Sequence, residues 1–185
     1  VILTEFLSIV EEEVSRINDI SSNFLGFSKP EPLSLNMYDI NALVESMVDL
    51  IRQEATEKNI EIVALLDRNL PLVPCDHSRI KQALLNLLLN ALEASKAGDA
   101  VEITTWNEGP FISIIIEDTG NGISSEEMEN IFKPFFTTKT RGSGLGLAII
   151  DRIVKEHGGD IEVESEVGKG TKFTIKMKVY EYARA

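Results

Sequence analysis

From Leu3 the apolar positions advance alternately by four and three residues, through Leu7, Val10, Val14 and Ile17, skip Ser21 and resume at Phe24. That spacing is a heptad seam, with Glu11, Glu12, Glu13, Arg16 and Asp19 on the solvated remainder, and Pro30 and Pro32 forbid its continuation. Such a seam serves either an amphipathic helix laid on the domain that follows or a helix seeking a partner helix. The linker directly behind it favours the partner.

Beyond the prolines the period changes repeatedly. Asp39-Ile40-Asn41 is a helix cap, and Leu43, Met47, Leu50, Ile51 and Ala55 mark the inner side of a helix running to about Lys58. Residues 60–66 read as a strand, Asp76 opens a long helix to about Ala97, and residues 101–106 and 111–117 read as strands around Asn107-Glu108-Gly109-Pro110. Gly144 opens another helix to His157, and residues 161–165 and 171–179 alternate like strands around a Glu166-to-Gly170 hairpin connection. Hairpin-linked strands among long helices argue for an α+β fold with a helical layer on a mixed sheet.

Composition narrows the chemistry. Eighteen Lys plus Arg against 30 Asp plus Glu leave a formal charge of −12, which disfavours a sequence-independent grip on nucleic acid. The lone Cys75, with only His77 and His157 to add, argues against an internal disulfide and a zinc cage, and reads as a cytoplasmic context. No apolar run approaches the roughly 20 residues that span a bilayer. A start without Met reads as a piece of a longer protein, which leaves a membrane anchor open for that protein while no membrane contact is expected from this chain's own residues.

Four segments carry candidate chemistry. In the helix from Asp76, Arg79, Gln82, Asn86, Asn90 and Glu93 fall within about 40° of Asn86, while Leu and Ala cover the rest. Two Asn four residues apart must face something polar, which is solvent, a hydrogen-bond network, or a ligand or metal-water site. The strand Ile112 to Glu117 ends in Asp118-Thr119-Gly120-Asn121-Gly122-Ile123, either a tight turn or a fixed acceptor for an exocyclic amine such as that of adenine. Gly142-Ser143-Gly144-Leu145-Gly146 enters a helix and offers backbone N–H groups at the positive end of its dipole, which suits phosphate. From Asn130 to Ile150 there is no Asp or Glu, while Lys133, Lys139 and Arg141 give a local +3. Phe132, Phe135 and Phe136 lie between the two glycine segments, as core residues, as anchors of a hinged lid, or as both.

Taken in order, Asn86-x-x-x-Asn90-Ala91, Asp118-x-Gly120-x-Gly122, Phe132-x-x-Phe135-Phe136 and Gly142-x-Gly144-x-Gly146 resemble the asparagine, first glycine, phenylalanine and second glycine boxes of sensor histidine kinases, and Gly168-x-Gly170-Thr171 resembles their closing motif. The resemblance covers about Met37 to Val179. It implies a two-layer α/β sandwich of the Bergerat ATP-binding type that holds Mg-ATP beneath a mobile lid. Asn90, helped by Asn86, would hold Mg²⁺ against the phosphates and serve the transfer; Asp118 would accept from the adenine amine, with Gly120, Gly122, Ile123 and Thr171 shaping its pocket. Phe132, Gly142, Ser143, Gly144, Leu145 and Gly146 would form the lid and its phosphate-facing amides, with Lys139, Thr140 and Arg141 as further contacts. Residues 1–30 resemble the second helix of the dimerisation and phosphotransfer hairpin, followed by a linker over 31–36, the catalytic domain over 37–180 and a tail over 181–185.

The resemblance further implies a homodimer through the helical hairpin, ATP and ADP as ligands, and a response regulator as partner. Relatives that hydrolyse ATP or phosphorylate serine carry a Glu as general base four residues before the metal-binding Asn; here that position is Asn86, which favours transfer to histidine. Neither His77 nor His157 has the context of a phosphoacceptor, so each is expected to be a cap or packing residue, and the acceptor is expected upstream of this chain.

Overall fold

In a computed structural model of the protein, residues 32–139 and 142–179 are described. The heptad segment, Thr140, Arg141 and the tail expected at 181–185 lie outside the described residues.

The first strand, β1 (Asn36–Tyr38), leads into helix α1 (Ile40–Glu57), where the Asp39 carboxylate accepts the N–H groups of Asn41 and Ala42 at 2.9 and 3.2 Å. That bond satisfies donors a helix start cannot pair internally. Strand β2 (Glu61–Leu66) follows, then β3 (Val73–Cys75) and helix α2 (His77–Ala94), capped in the same way by Asp76. Next come β4 (Ala100–Asn107), β5 (Phe111–Asp118), the single-turn α3 (Ser125–Met128), α4 (Gly146–Glu156), β6 (Asp160–Glu166) and β7 (Gly170–Lys178). The long elements agree with the periodicity to within one to three residues at each end. The small β1–β3 pair, three residues a strand, is too short for periodicity to reveal.

Five strands form one mixed sheet in the order β2-β4-β5-β7-β6, with β2 parallel to β4 and the other pairs antiparallel. The parallel pair requires a crossover, and β3 with α2 supplies it. The inward positions Val101, Ile103, Ile112, Ile114, Ile116, Phe173, Ile175 and Met177 meet the buried sides of α1, α2 and α4 in one continuous core. The opposite face is open: Trp106 is 59% and Leu65 52% exposed, and Lys172 and Lys176 bridge to Glu164 and Glu162 at 3.0 and 2.7 Å. One covered face makes this a two-layer α/β sandwich, as the α+β pattern implied.

The start of α2 is where polar groups enter that core. Burial alone would raise the Asp76 carboxyl, but the Ser78 hydroxyl and the N–H groups of Ser34, Arg79 and Ser78 outweigh it and hold the pKa below the ordinary carboxylate value. A lowered folded value means the unfolded chain takes up the proton more readily. The stability contributed by Asp76 is therefore fully present above about pH 4 and is lost as pH falls through the folded value. Asp76→Asn should flatten the acid limb of melting temperature against pH; an unchanged slope below about pH 5 would contradict this. Next to it the buried Cys75 thiol is pushed up to about 11 by burial and then by the Asp76 charge, so it stays protonated and unreactive at neutral pH.

Candidate nucleotide site

The polar strip of α2 is set among its leucines. Leu84, Leu87, Leu88 and Leu92 are buried, whereas Asn86 and Asn90 are half-buried and Gln82 and Glu93 exposed. The strip is thus a shelf along the helix that opens to solvent at both ends. On that shelf the Lys139 ammonium donates to Asn90 Oδ1 at 3.0 Å and makes a short contact with Glu93 Oε2, so a lysine of the acid-free segment lies on the asparagine that the motif singles out. Glu93 was legible as part of the strip but not as a partner of Lys139, which lies 46 residues away.

Asp118 is the last inward position of β5 and is 4% exposed. Its carboxylate accepts from Gly120 N–H at 2.9 Å and from the N–H of Thr171, its neighbour across the β5–β7 register. Burial raises its pKa; those two N–H bonds pull the other way, and the Asp99 and Glu117 charges add to the rise. The folded state therefore carries a buried carboxylate with more lone pairs than bonds. Such a group gains from any further donor brought to it.

The glycine loop that follows is wedged in place. Asn121 N–H donates to Ala94 O at the end of α2 at 3.0 Å, Gly168 N–H to Asn121 O at 2.8 Å, and Ile123 N–H to Ser165 Oγ at 2.8 Å. A Cβ on Gly120 would lie 2.4 Å from Ala94 O, and one on Gly122, whose φ is +68°, would lie 2.1 Å from Glu166 O. Only glycine lets the backbone approach this closely at positive φ. Ser165 also bonds Gly170 O and the Thr171 hydroxyl, both at 2.9 Å, so it joins the loop to the closing motif. It was missed as a site residue, although a serine at the inward position after Ile161 and Val163 is a visible break in an apolar alternation.

Helix α4 begins at Gly146 with Leu145 as its N-cap and no side-chain cap bond; the Ser143 hydroxyl accepts from Leu145 N–H instead, at 3.3 Å. Its first-turn N–H groups therefore face outward as a partial positive charge. Gly144, φ +68°, lies against the Phe135 backbone, where a Cβ would come within 2.4 Å, and Phe135 N–H donates to Gly144 O at 2.8 Å. The phenylalanines divide: Phe132 and Phe136 pack against the core, whereas Phe135 has a φ of +67° and is 64% exposed. Phe132 also lines, with Pro134, Ala148, Asp151, Arg152, Lys155 and Glu156, an open groove of about 500 Å³ that neither asparagine nor Asp118 reaches.

The ends of the two helices fix their relation. Asp76 at the start of α2 meets His157 at the end of α4, so the helices run in opposite directions side by side. At 1.5 Å per residue, Asn86 lies ~15 Å from that junction along α2 and Gly146 ~16 Å along α4. The uncapped helix start thus comes level with Asn86, and Asn90 lies one turn further along α2. Among the described residues no helix is long and apolar enough to cross a membrane, and no group of three His, Cys, Asp or Glu could hold a metal.

An asparagine strip contacted by Lys139, an uncapped helix start level with Asn86 and a buried acceptor carboxylate beside the end of α2 suit a nucleotide-binding α/β sandwich. The family model described as histidine kinase-, DNA gyrase B-, and HSP90-like ATPase matches residues 75–181, and the chain belongs to that family. Among curated relatives, the sensor histidine kinase ZraS of Escherichia coli (strain K12) is 36% identical over 175 residues, 95% of this chain and 38% of ZraS. Two solved structures are also similar. Full-length ShkA in complex with AMPPNP has a TM-score of 0.83 at 29% identity, over 94% of this chain and 38% of that one. The histidine kinase ThkA in complex with the response regulator protein TrrA has a TM-score of 0.82 at 31% identity, over 98% and 53%. The chain spans about two fifths of the length of ZraS.

Proposed function

We propose that this chain is the ATP-binding catalytic part of a sensor histidine kinase, which binds Mg-ATP for transfer of the γ-phosphoryl group to a histidine outside the chain and onward relay to a response-regulator aspartate. The observation that carries the reading is the placement of Asn86 level with the uncapped start of α4 and of Asn90 one turn further along α2, with Asp118 buried beside the end of α2, where Gly120 lies between it and Ala94. The relatives support it: one is named a sensor histidine kinase, one structure holds a nucleotide analogue and one a response regulator.

The residues present fit the ligand. The N–H groups of Gly146 to Ala148, with Gly142, Ser143 and Gly144 before them, receive phosphate oxygens; Asp118 accepts the adenine amine, flanked by Gly120, Gly122, Ile123 and Thr171. Asn90, aided by Asn86, would hold Mg²⁺ through a neutral side-chain oxygen, which suits an ion that keeps several waters. Magnesium supplies neutralisation of charge on the transferred group. Lys139 is already at Asn90 and exchanges that contact for phosphate when nucleotide enters; Thr140 and Arg141, beside it in sequence, are proposed as further contacts. Phe132 anchors the lid. Position 86 carries an amide and not the carboxylate that hydrolysing and serine-phosphorylating relatives use there as a base, so slow hydrolysis and transfer to an imidazole, already nucleophilic, are what the site suits. Homodimerisation through residues 1–30 belongs to the same reading.

Calorimetric titration with ADP and excess Mg²⁺ should show one site per chain, and Mg-ATP incubation should leave no acid-labile phosphate on the chain itself. No binding at millimolar ADP, or phosphate release well above background, would overturn the reading. For the metal, Asn90→Ala should abolish the magnesium-dependent part of ATP affinity while magnesium-free affinity changes less than about threefold; an unaltered magnesium dependence removes Asn90 from that role.

A further inference from the structure

Resting on the nucleotide-site reading, we propose that Asp76 and His157 are positioning residues that couple the linker entering at Ser34 to the phosphate-binding ends of α2 and α4. His157, the C-cap of α4, places Nδ1 2.7 Å from Ile153 O, which can only accept, and Nε2 2.9 Å from the Asp76 backbone N–H, which can only donate. The ring is therefore neutral with its proton on Nδ1, and both nitrogens are used. Arg79 adds a second tie across the same junction, to Glu156 at 2.6 Å.

The Asp76 carboxylate faces the other way. Oδ1 caps α2 through Ser78 N–H, Ser78 Oγ–H and Arg79 N–H, and Oδ2 accepts from Ser34 N–H at 3.1 Å. Around it β1 pairs with β3 from Asn36 against Cys75, and the Tyr38 ring lies 5.0 Å from that of His77. One residue thus bonds the incoming linker with its side chain and the end of α4 with its backbone.

The consequence follows from rigid geometry. Beyond the junction α2 extends ~15 Å to Asn86 and ~21 Å to Asn90, and α4 ~16 Å to Gly146, so a shift or rotation of α2 against α4 there changes the alignment of Asn86 and Asn90 with the N–H groups of Gly146 to Ala148. A pull on Ser34 reaches α2 through the Asp76 carboxylate. The linker is thereby able to open or set the phosphate end of the site without touching it.

The test uses the whole chain. Ser34→Pro deletes the donated N–H at an exposed position, and Ser34→Ala keeps it; His157→Phe deletes both ring bonds. In the nucleotide-free protein, Ser34→Pro should shift the NMR signals of the Gly146 to Ala148 amides and of the Asn86 and Asn90 side-chain amides, whereas Ser34→Ala should leave them in place. Mg-ADP affinity should fall about fivefold in Ser34→Pro and at least as much in His157→Phe, and the double variant should be no weaker than His157→Phe alone, because the linker acts through the junction. Unshifted signals in Ser34→Pro, equal effects of Ser34→Pro and Ser34→Ala, or losses that multiply in the double variant would overturn the proposal. If His157→Phe fails to fold, the comparison of the two Ser34 variants decides. If the unmodified protein binds no ADP the nucleotide reading falls, while the NMR comparison still tests the coupling.

Discussion

Replacing Asp118 with Asn is expected to weaken ADP and ATP alike by about 10- to 100-fold while leaving the nucleotide-free protein as stable as before or slightly more so at neutral pH. The loss is the size expected for a buried hydrogen bond to a charged acceptor, about 1.5–3 kcal/mol. The stability half of the expectation comes from the sign of the pKa shift. Burial raises the Asp118 carboxyl, so folding disfavours its ionised form, and the stability present while it is protonated is lost as pH rises from the unfolded value to the folded one. Asn lacks that penalty and keeps one acceptor for the N–H groups of Gly120 and Thr171. A melting curve beside a calorimetric titration checks both halves. A collapse of the fold, or unchanged nucleotide affinity, would show that Asp118 is structural.

The second large effect is expected at Gly170. Its φ is +116°, and a Cβ there would lie 1.8 Å from the backbone oxygen of Asp118, which cannot move without disturbing the β5–β7 register. Gly170→Ala combines a backbone conformation that L residues rarely adopt with overpacking against main chain, and should cost about 2–5 kcal/mol. For a domain of this size that is a fall in melting temperature of roughly 4–20 °C, with nucleotide affinity lost as well because Asp118 is displaced. Gly146→Ala is the contrast: nothing lies within 4 Å of the added carbon and φ is ordinary, so the melting temperature should hold or rise slightly. Thermal unfolding of the two variants side by side separates glycines required by close approach from glycines that only begin a helix. Equal behaviour would contradict the distinction.

These cases show how much of the site could be read along the chain. Asn86, Asn90, Asp118 and the glycine segments are each visible as a local violation: amides in a leucine-rich helix, an acid closing an apolar strand, glycines where a helix should be capped. Thr171 came with the closing motif, and the register sets it opposite Asp118. Ser165, the Lys139 contact with Asn90 and Glu93, and the junction of Ser34, Asp76 and His157 were not legible, because each joins residues from 42 to 81 positions apart or, for Ser165, a hairpin to a loop on another strand. His157 was expected to be a cap or packing residue; it is the C-cap of α4, with both ring nitrogens bonded.

By itself, then, the sequence determined the kinds of element, their approximate ends and the sandwich class, since periodicity and capping are local properties of the backbone. Only the tertiary structure decided the strand order β2-β4-β5-β7-β6, the parallel β2–β4 pair, the short β1–β3 sheet and which glycines are held by contact. It also decided that α2 and α4 meet at Asp76 and His157 and that the start of α4 comes level with Asn86 along α2, which is what brings two polar segments distant in sequence side by side. The reason is physical. A residue's own φ, ψ and polarity are set by its neighbours in the chain, but a hydrogen bond across the fold exists only once the core has placed both partners.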